Sequence, residues 1–313
     1  MSYSCVLLLK VAPRLLILCA AVLILLGGYG HASDVSDPII VAVGDIACPT
    51  SGNGHTHEVA RGDVCRQMET SDLVLQIDEL AAVLTLGDNQ YPTGALTDFQ
   101  NSYDRSWGRV KAMTHPSIGN HEGLGDGYYT YFGDAAGPRD RGYYSFDIGA
   151  WHVIALNSNS ECQIVACDQD SAQLAWLRED LVTHQSFCTL AYWHHPRFSS
   201  GRHRNANVMS PIWKELYASG VDLVLSGHDH DYERFAPLDA DGRVDKLHGI
   251  RSFVVGTGGA RHTDFSTIKS GSKVRNSDTF GILKLTLHPT SYEWEFVPEA
   301  GKIFTDKGNG RCH

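Results

Sequence analysis

The 313-residue chain is acidic, with a formal net charge of −10, and 42% of its residues are hydrophobic. It contains no basic run, which argues against a protein that binds nucleic acid non-specifically through phosphate contacts. The length suits one large domain or two small ones, and no linker, repeat or low-complexity segment is evident.

The N-terminal residues have the pattern of a secretory signal peptide. Lys10 and Arg14 precede the apolar run 15–28, which is long enough for a signal core and short for a membrane span. We therefore predict a signal peptide over residues 1–32, cleaved after Ala32, and a single domain over residues 33–313. The mature chain would be secreted or periplasmic, without a stable membrane span. An uncleaved N-terminal anchor is the alternative.

Six of the eight cysteines lie in the predicted mature chain. An even number of cysteines behind an export signal indicates disulfides, although the sequence alone does not choose among the possible pairings. A zinc site is disfavoured because no CxxC motif occurs. Cys162 and Cys167 are close enough in sequence to close a short loop, and Cys188–Cys312 would tie the C-terminal tail to a strand. Cys48 and Cys65 would then form the third pair.

Apolar runs alternate with helical patterns along the chain. Strands are predicted at 38–46, 80–86, 115–119, 187–193, 221–225 and 251–255, with hairpins at 143–157 and 280–297. Helices are predicted at 57–67, 71–80, 97–113, 171–184 and 208–219, the fourth with Ser171 as its N-cap. This order predicts an α/β or mixed sandwich whose functional loops gather at strand ends.

Five of the predicted strands are followed by side chains of metal-ligand type. Each group alone is typical of ordinary turns, because Gly, Asp and Asn favour turns. His228 and His230 are stronger candidates, since alternate residues of an extended segment share a face. Together, the groups indicate a metal site. They are Gly44–Ala47 (GDIA), Gly87–Tyr91 (GDNQY), Gly119–Glu122 (GNHE), Trp193–Pro196 (WHHP) and Gly227–His230 (GHDH).

With these motifs the chain resembles the calcineurin-like metallophosphoesterases, and most closely their purple acid phosphatase branch. Many members of the superfamily carry Asp-x-His in the first motif, whereas Ala47 stands at the His position here. In purple acid phosphatases the Tyr of GDxxY replaces that ligand, and Tyr91 matches it. The resemblance implies an α/β (α+β type) fold: a metallophosphoesterase-like β-sandwich flanked by helices, in four layers α/β/β/α.

The resemblance also implies two metal ions, Fe(3+) and a divalent iron, zinc or manganese ion. A trivalent ion suits Tyr91, because such an ion readily ionises a phenol. His194 is preferred to His195, since the family spaces its ligand as His-x-Pro and adjacent strand residues face opposite ways. The implied ligands are Asp45, Tyr91 and His230 for the first ion, Asn120, His194 and His228 for the second, and Asp88 between both.

Two further histidines are implied to be catalytic. His121 follows the Asn ligand and matches a group that donates a proton or hydrogen bond to the substrate. His203 lies nine residues beyond His194, where small members of the family carry a substrate-facing His. Arg202 and Arg204 flank His203, and solvated surface charge is an equally good interpretation of both.

The implied activity is that of a secreted phosphatase that hydrolyses phosphate monoesters of small substrates by attack of a metal-bound hydroxide. A phosphodiesterase or nucleotide pyrophosphatase on the same fold is one alternative. A catalytically dead, secreted binding protein is another, from a different class. The pattern predicts no nucleic-acid-binding surface and makes no prediction of oligomeric state.

Overall fold

The computed structural model describes residues 37–49 and 65–313. The predicted signal peptide, residues 1–32, and most of the helix predicted over 57–67 lie outside the described residues. Residues Asp37–His313 group into one unit by their contacts. Within the described ranges, no helix is both long and apolar enough to cross a bilayer.

The described residues contain thirteen strands. They are β1 (Ile39–Val43), β2 (Leu80–Leu86), β3 (Thr114–Ser117), β4 (Tyr144–Ile148), β5 (Trp151–Ala155), β6 (Cys188–Tyr192), β7 (Leu223–Ser226), β8 (Tyr232–Phe235), β9 (Arg251–Val255), β10 (Ser272–Asn276), β11 (Gly281–His288), β12 (Ser291–Pro298) and β13 (Lys307–Arg311).

Six helices accompany these strands over the same described ranges. They are α1 (Gln67–Val74), α2 (Leu96–Asn101), α3 (Asp126–Phe132), α4 (Asn159–Cys162), α5 (Ala172–Thr183) and α6 (Ser210–Ala218). Short 3₁₀ turns fill several connections, including the stretch Trp107–Met113.

The strands form two mixed sheets. The first has the order β13-β12-β11-β1-β2-β3, and the second has the order β10-β8-β9-β7-β6-β5-β4. Strands β1, β2 and β3 run parallel, and so do β5, β6, β7 and β9. The parallel strands of each sheet therefore end at one edge, which is where loops of an α/β sheet form sites.

A continuous apolar core lies between the two sheets. Leu190 on β6 faces this core, whereas its neighbour Ala191 packs with helices α5 and α6 on the outer face. On β7, Leu225 likewise faces the core between the sheets and Val224 faces the outer helices, as the two-residue period of a strand requires. Parallel strands covered on both faces are apolar throughout, which explains the unbroken apolar runs in the sequence. The predicted sandwich flanked by helices is confirmed.

Two predicted helices are wrong in extent. The helix predicted over 71–80 ends at Val74, and β2 begins at Leu80. The helix predicted over 97–113 stops at Asn101 and continues as 3₁₀ turns. One cause is tertiary: the backbone N–H of Tyr103 donates to the side chain of Gln90, at 3.1 Å, and is lost to the helix.

Other predicted elements are confirmed. Helix α5 begins after Ser171, whose hydroxyl accepts a hydrogen bond from the backbone N–H of Leu174. The β4–β5 hairpin turns at Gly149, where φ is 59°. Sequence reasoning missed β8, β10, β13, α3 and α4. Strands β10 and β13 lie at sheet edges and carry few apolar residues, so they lack the pattern of a buried strand.

The favoured disulfide pairing is confirmed. Cys162–Cys167 closes a short loop with a sequence separation of 5. Cys188–Cys312 joins the start of β6 to the C-terminal tail, with a separation of 124. Cys48–Cys65 forms the third bridge. The three bonds fit a protein that folds in an oxidising compartment.

Candidate metal centre

The sequence-predicted ligands come together where parallel strands of both sheets end. Asp45 follows β1, Asp88 and Tyr91 follow β2, and Asn120 follows β3. From the second sheet, His194 follows β6, while His228 and His230 lie between β7 and β8. The structure thus brings all seven residues to one edge of the sandwich.

Backbone hydrogen bonds join the loops of this edge. The N–H of Gly44 donates to the carbonyl of Val255, at 2.8 Å, and so links the first sheet to the second. The N–H of Gly227 donates to the carbonyl of His194 at 3.0 Å. The backbone alone therefore fixes the positions of these loops relative to one another.

Two glycines allow the close approach of these loops. Gly87 has a φ of 82°, and a Cβ there would lie 2.6 Å from the ring of His194. A Cβ at Gly227 would lie 2.6 Å from Oδ2 of Asp45. A side chain at Gly87 would therefore displace His194, and one at Gly227 would displace Asp45, and both of these are candidate ligands.

Three of the candidate ligands have left-handed backbone conformations. The φ angles are 60° at Asp45, 47° at Asp88 and 70° at His228. Non-glycine residues rarely adopt this region, and such conformations cluster at functional sites where surrounding structure maintains them. Here the conformation directs each side chain away from its strand and into the shared centre.

The first group of donors surrounds the hydroxyl of Tyr91, a residue with 3% exposure. This oxygen lies 2.9 Å from Oδ1 of Asp45 and 3.0 Å from Nε2 of His230. It also lies 3.2 Å from Oδ2 of Asp88. The Tyr91 hydroxyl has one hydrogen to donate, so it cannot satisfy two carboxylates and an imidazole nitrogen at once. This convergence of electron-pair donors suits a cation.

The second group surrounds Nε2 of His194. This nitrogen lies 3.0 Å from Oδ1 of Asn120, 3.2 Å from Nδ1 of His228 and 3.2 Å from Oδ2 of Asp88. Two imidazoles, an amide oxygen and a carboxylate again face one point. Oxygen and imidazole donors of this kind suit iron, zinc or manganese.

Asp88 belongs to both groups through a single atom. Its Oδ1 accepts a hydrogen bond from the backbone N–H of His121 at 2.8 Å. Its Oδ2 is the atom that faces both Tyr91 and His194. The carboxylate is thereby oriented by the backbone, with one oxygen left between the two donor groups.

Main-chain carbonyls orient two of the imidazoles. Nδ1 of His194 lies 2.8 Å from the carbonyl oxygen of Leu86, and Nδ1 of His230 lies 2.5 Å from that of Arg261. A proton on each Nδ1 satisfies these contacts and leaves Nε2 as the coordinating atom. The lone pairs of both rings then point into the centre.

The electrostatics of the Asp88 and His194 pair follow from burial and opposite charge. Burial acts to raise the pKa of Asp88, but the charge and hydrogen bond of His194 outweigh it and hold that pKa well below its ordinary value. Burial acts to lower the pKa of His194, yet Asp88 raises it to about 9. Opposite charge at short range thus outweighs burial for both groups.

The two predicted catalytic histidines lie at different sides of the donor groups. The ring of His121 lies 4.3 Å from that of Tyr91, and its Nε2 is 3.9 Å from Oδ2 of Asp88. The exposed ring of His203 lies 4.5 Å from that of His228. His121 is thus nearer the first group, and His203 is nearer the second. Arg202 and Arg204 are both exposed.

The expectation that His195 faces away from the centre is not met. Its ring lies 4.4 Å from that of His228, and one ring nitrogen lies within 4.8 Å of the ligand atoms of His194 and His228. The alternation argument fails because β6 ends at Tyr192, before the two histidines. Nδ1 of His195 hydrogen-bonds the hydroxyl of Ser158 at 2.9 Å, and burial with the neighbouring His194 charge lowers its pKa to about 3.

Sequence reasoning missed the buried acids that support the loops. Glu122 accepts hydrogen bonds from the backbone N–H groups of Asp88, Gln90 and Gly119, at 3.1, 3.1 and 2.7 Å. Asp229 accepts from the hydroxyl of Ser199 and from the N–H of His203, at 2.5 and 2.7 Å. Asp229 directly follows the candidate ligand His228, and Glu122 lies two residues after the candidate ligand Asn120. This position within the ligand motifs is the signal that could have identified both acids.

Comparison with known families agrees with this geometry. The calcineurin-like phosphoesterase family matches residues 39–232, which include all seven candidate ligands. The chain belongs to the calcineurin-like phosphoesterase family. The match ends within β8, so the final strands of both sheets lie beyond it.

Curated relatives of this family member include plant purple acid phosphatases. Purple acid phosphatase 15 of Arabidopsis thaliana is 37% identical over 98 residues, which cover 29% of this chain and 18% of the relative. Purple acid phosphatase 18 of the same plant is 31% identical over 134 residues, or 41% of this chain and 29% of the relative. The predicted resemblance is confirmed, although the matches span less than a third of these relatives.

Solved structures share the fold of this calcineurin-like phosphoesterase. The purple acid phosphatase PPD1 of yellow lupin aligns with a TM-score of 0.66 and 19% identity, over 88% of this chain and 53% of that one. GAP50, described as the anchor in the inner membrane complex of Plasmodium, aligns with a TM-score of 0.60 and 16% identity, over 87% and 88%. At these identities the likeness concerns the fold.

Proposed function

We propose that this chain is an exported, two-metal phosphatase that hydrolyses phosphate monoesters of small substrates. The observation that carries the proposal is the shared position of Oδ2 of Asp88, 3.2 Å from both the Tyr91 hydroxyl and Nε2 of His194. Family membership and the purple acid phosphatase relatives support the reaction class.

The donor groups suggest how two different ions would be held. Hard oxygen donors with a phenolate favour Fe(3+) in the first group, and imidazoles with an amide oxygen accept a divalent iron, zinc or manganese ion in the second. The proposed ligands are Asp45, Tyr91 and His230 for the first ion, Asn120, His194 and His228 for the second, and Asp88 for both.

When bound, such a pair of ions supplies Lewis acidity, a hydroxide nucleophile at moderate pH and compensation for the negative charge of the phosphoryl group. The positive charge is local, which reconciles an acidic chain with an anionic substrate. The protein residues Asp88, Glu122 and Asp229 maintain the positions of the surrounding loops through the hydrogen bonds described above.

His121 and His203 would act on the substrate. Nδ1 of His121 lies 2.8 Å from the carbonyl oxygen of Pro92, which orients the ring and leaves Nε2 toward the centre. In its protonated form His121 can donate a hydrogen bond to a phosphoryl oxygen or a proton to the leaving alkoxide. His203, on a loop held by Asp229, would bind the substrate from the opposite side.

Export is supported by the three disulfides and by the signal-like pattern of residues 1–32. An oxidising location, secreted or periplasmic, would preserve these bonds. N-terminal sequencing of the mature protein from the producing cell checks the proposal, and a mature N-terminus at Ser33 is expected. An N-terminus at Met1 would instead indicate the uncleaved anchor.

The decisive experiment combines metal analysis, visible absorption and a substrate panel on the purified protein. We expect two metal ions per chain, one of them iron, a visible iron–phenolate band, and faster hydrolysis of monoesters than of diesters. A preference for diesters or nucleotide pyrophosphates would favour the corresponding alternative on this fold. Metal-loaded protein without hydrolytic activity would favour a binding protein and overturn the proposal.

A further inference from the structure

A second cluster of metal-ligating side chains lies at the other end of the second sheet. His152 stands at the start of β5, beside Thr189 at the start of the parallel strand β6. The candidate centre follows the ends of the parallel strands, so the two clusters occupy opposite edges. Asp180 in the last turn of α5 and His184 just after it complete this second cluster.

The contacts within the cluster are short. His152 is 1% exposed, and its Nδ1 and Nε2 lie 2.8 Å from Oδ1 of Asp147 and 2.8 Å from Oδ2 of Asp180. The other carboxylate oxygen of Asp180 lies 3.2 Å from Nδ1 of His184 and accepts a hydrogen bond from Ser145 at 2.7 Å. Asp180 thus stands between the two imidazoles.

We propose that His152, Asp180 and His184 bind a divalent transition-metal ion, of which Zn²⁺ is the best fit. Their ligand atoms all lie within 4.8 Å of one another. Two imidazoles and one carboxylate form a donor set that Zn²⁺ commonly accepts, with water at the remaining position. The site is independent of the phosphatase centre and needs none of its residues.

The surroundings of His152 pre-orient one donor. A proton on Nδ1 satisfies the hydrogen bond to Asp147, and the lone pair of Nε2 then points toward Asp180. A carboxylate that accepts from the distal nitrogen of an imidazole is the usual support of a metal-ligating His. Asp180 and His184 are four residues apart at the end of α5, so both side chains face β5.

His184 provides access from solvent. Its side chain is 43% exposed, whereas Asp180 is 5% exposed. The rings of His152 and His184 are nearly parallel, at 10°, with centroids 4.8 Å apart. Because a metal lies in the plane of an imidazole ligand, the exposed ring of His184 would turn on binding while the buried ring of His152 stays in place. The contact of Nδ1 with the Asp180 carbonyl, at 3.1 Å, would then be exchanged for the metal bond.

The alternative occupant of the cluster is a proton. A protonated His152 between the exposed Asp147 and the buried Asp180 would form an ion-pair network without any metal. The two interpretations differ in their response to zinc, since only a metal site gains stability from added Zn²⁺ through mass action.

The test measures zinc stoichiometry in variants. Wild type, His184→Ala and His248→Ala are dialysed against micromolar Zn²⁺ and analysed for bound zinc by mass spectrometry. His248 is an exposed histidine on another loop and serves as the matched control. We expect His184→Ala to bind one zinc ion per chain fewer than wild type, because one of the three proposed ligands is gone, and His248→Ala to match wild type.

The same comparison in an Asp88→Ala background separates this site from the phosphatase centre. The loss of one zinc ion on His184→Ala should persist there, even if the phosphatase centre binds no metal. Thermal unfolding in EDTA checks that His184→Ala is folded, and added zinc should then raise the unfolding temperature of wild type more than that of the variant. Equal zinc content in wild type and His184→Ala would overturn the proposal in favour of the proton.

Discussion

Oδ2 of Asp88 lies 3.2 Å from Nε2 of His194, and both side chains are buried. The same oxygen lies 3.2 Å from the hydroxyl of Tyr91, while Oδ1 is engaged by the backbone N–H of His121. One carboxylate oxygen therefore links a phenol-centred group of donors to an imidazole-centred group. The strongest predictions about the proposed phosphatase depend on this relationship.

Asp88→Ala should be the most damaging single ligand change. Because Asp88 faces both donor groups, its loss weakens two ion sites, whereas Asn120→Ala weakens one. We expect both ions to be depleted and kcat/KM to fall by more than about 1000-fold. The loss should appear in kcat and not only as a raised KM. Metal analysis and steady-state kinetics check this. Normal occupancy of both ions in Asp88→Ala would contradict a bridging role.

Tyr91→Phe should remove the visible absorption band and leave the fold intact, since only one hydroxyl is lost. Tyr103→Phe is a matched control. Tyr103 is also fully buried, but its hydroxyl has no hydrogen-bond partner in the part of the chain that the structure describes. Absorption spectra and near-ultraviolet circular dichroism of both variants check the prediction. A fully active wild type that is colourless and holds two divalent ions would refute the iron assignment.

His194→Ala and His195→Ala should differ in metal content. His194→Ala removes the nitrogen at the centre of the second group, so we expect loss of the divalent ion and most activity while the iron colour remains. His195→Ala removes the side-chain hydrogen bond to Ser158 and the packing against His228, while the backbone N–H of residue 195 can still donate to Ser158. It should keep both ions and lose activity by about 10-fold, the lower range for a supporting residue. Depletion of the second ion by His195→Ala alone would reverse the assignment.

The disulfides should contribute unequally to stability. On the loop-closure argument, the Cys188–Cys312 bond with its separation of 124 contributes about 5 kcal/mol, and the Cys162–Cys167 bond with its separation of 5 contributes about 2 kcal/mol. Denaturant unfolding of the two double-Ala variants should show this order. Thiol titration of the denatured, unreduced wild type should find no free cysteine, and two free thiols would contradict both the pairing and export.

Asp222 should make stability depend on pH. Burial raises the pKa of Asp222 to about 6, although it accepts hydrogen bonds from the backbone N–H groups of Thr189 and His313 and lies 3.0 Å from Nδ1 of His313. A carboxyl whose pKa is higher in the folded state favours folding when protonated. Its contribution is therefore present below pH 4 and is lost as the pH rises from about 4 to about 6, by roughly 2–3 kcal/mol.

Asp222→Asn checks this sign, because it removes the titration and keeps an oxygen acceptor near Thr189. The difference in unfolding free energy between wild type and variant should change between pH 4 and pH 6 and stay constant from pH 7 to pH 8. A difference that is flat across the whole range would show that Asp222 has an ordinary pKa in the folded protein.

Much of the site was predictable because its ligands follow apolar strands directly. Asp45, Asp88 and His228 each come one residue after a glycine and close behind a strand, and the ends of parallel strands must meet at one edge. The limits of the helices predicted over 71–80 and 97–113, and the 3₁₀ stretch Trp107–Met113, were less predictable. Their limits depend on contacts such as the bond between Tyr103 and Gln90, which joins residues that local periodicity cannot relate.

The sequence by itself determined the order of the ligand motifs along the chain and the likeness to a metallophosphoesterase family. It favoured one set of cysteine pairs, which the structure then confirmed. Only the tertiary structure decided that one oxygen of Asp88 faces both donor groups and that His195 lies against His228. It also decided that Glu122 accepts hydrogen bonds from three backbone N–H groups. The physical reason is range. Residue type and spacing record local backbone preferences, whereas hydrogen bonds and ring contacts between distant segments exist only after the two sheets have packed.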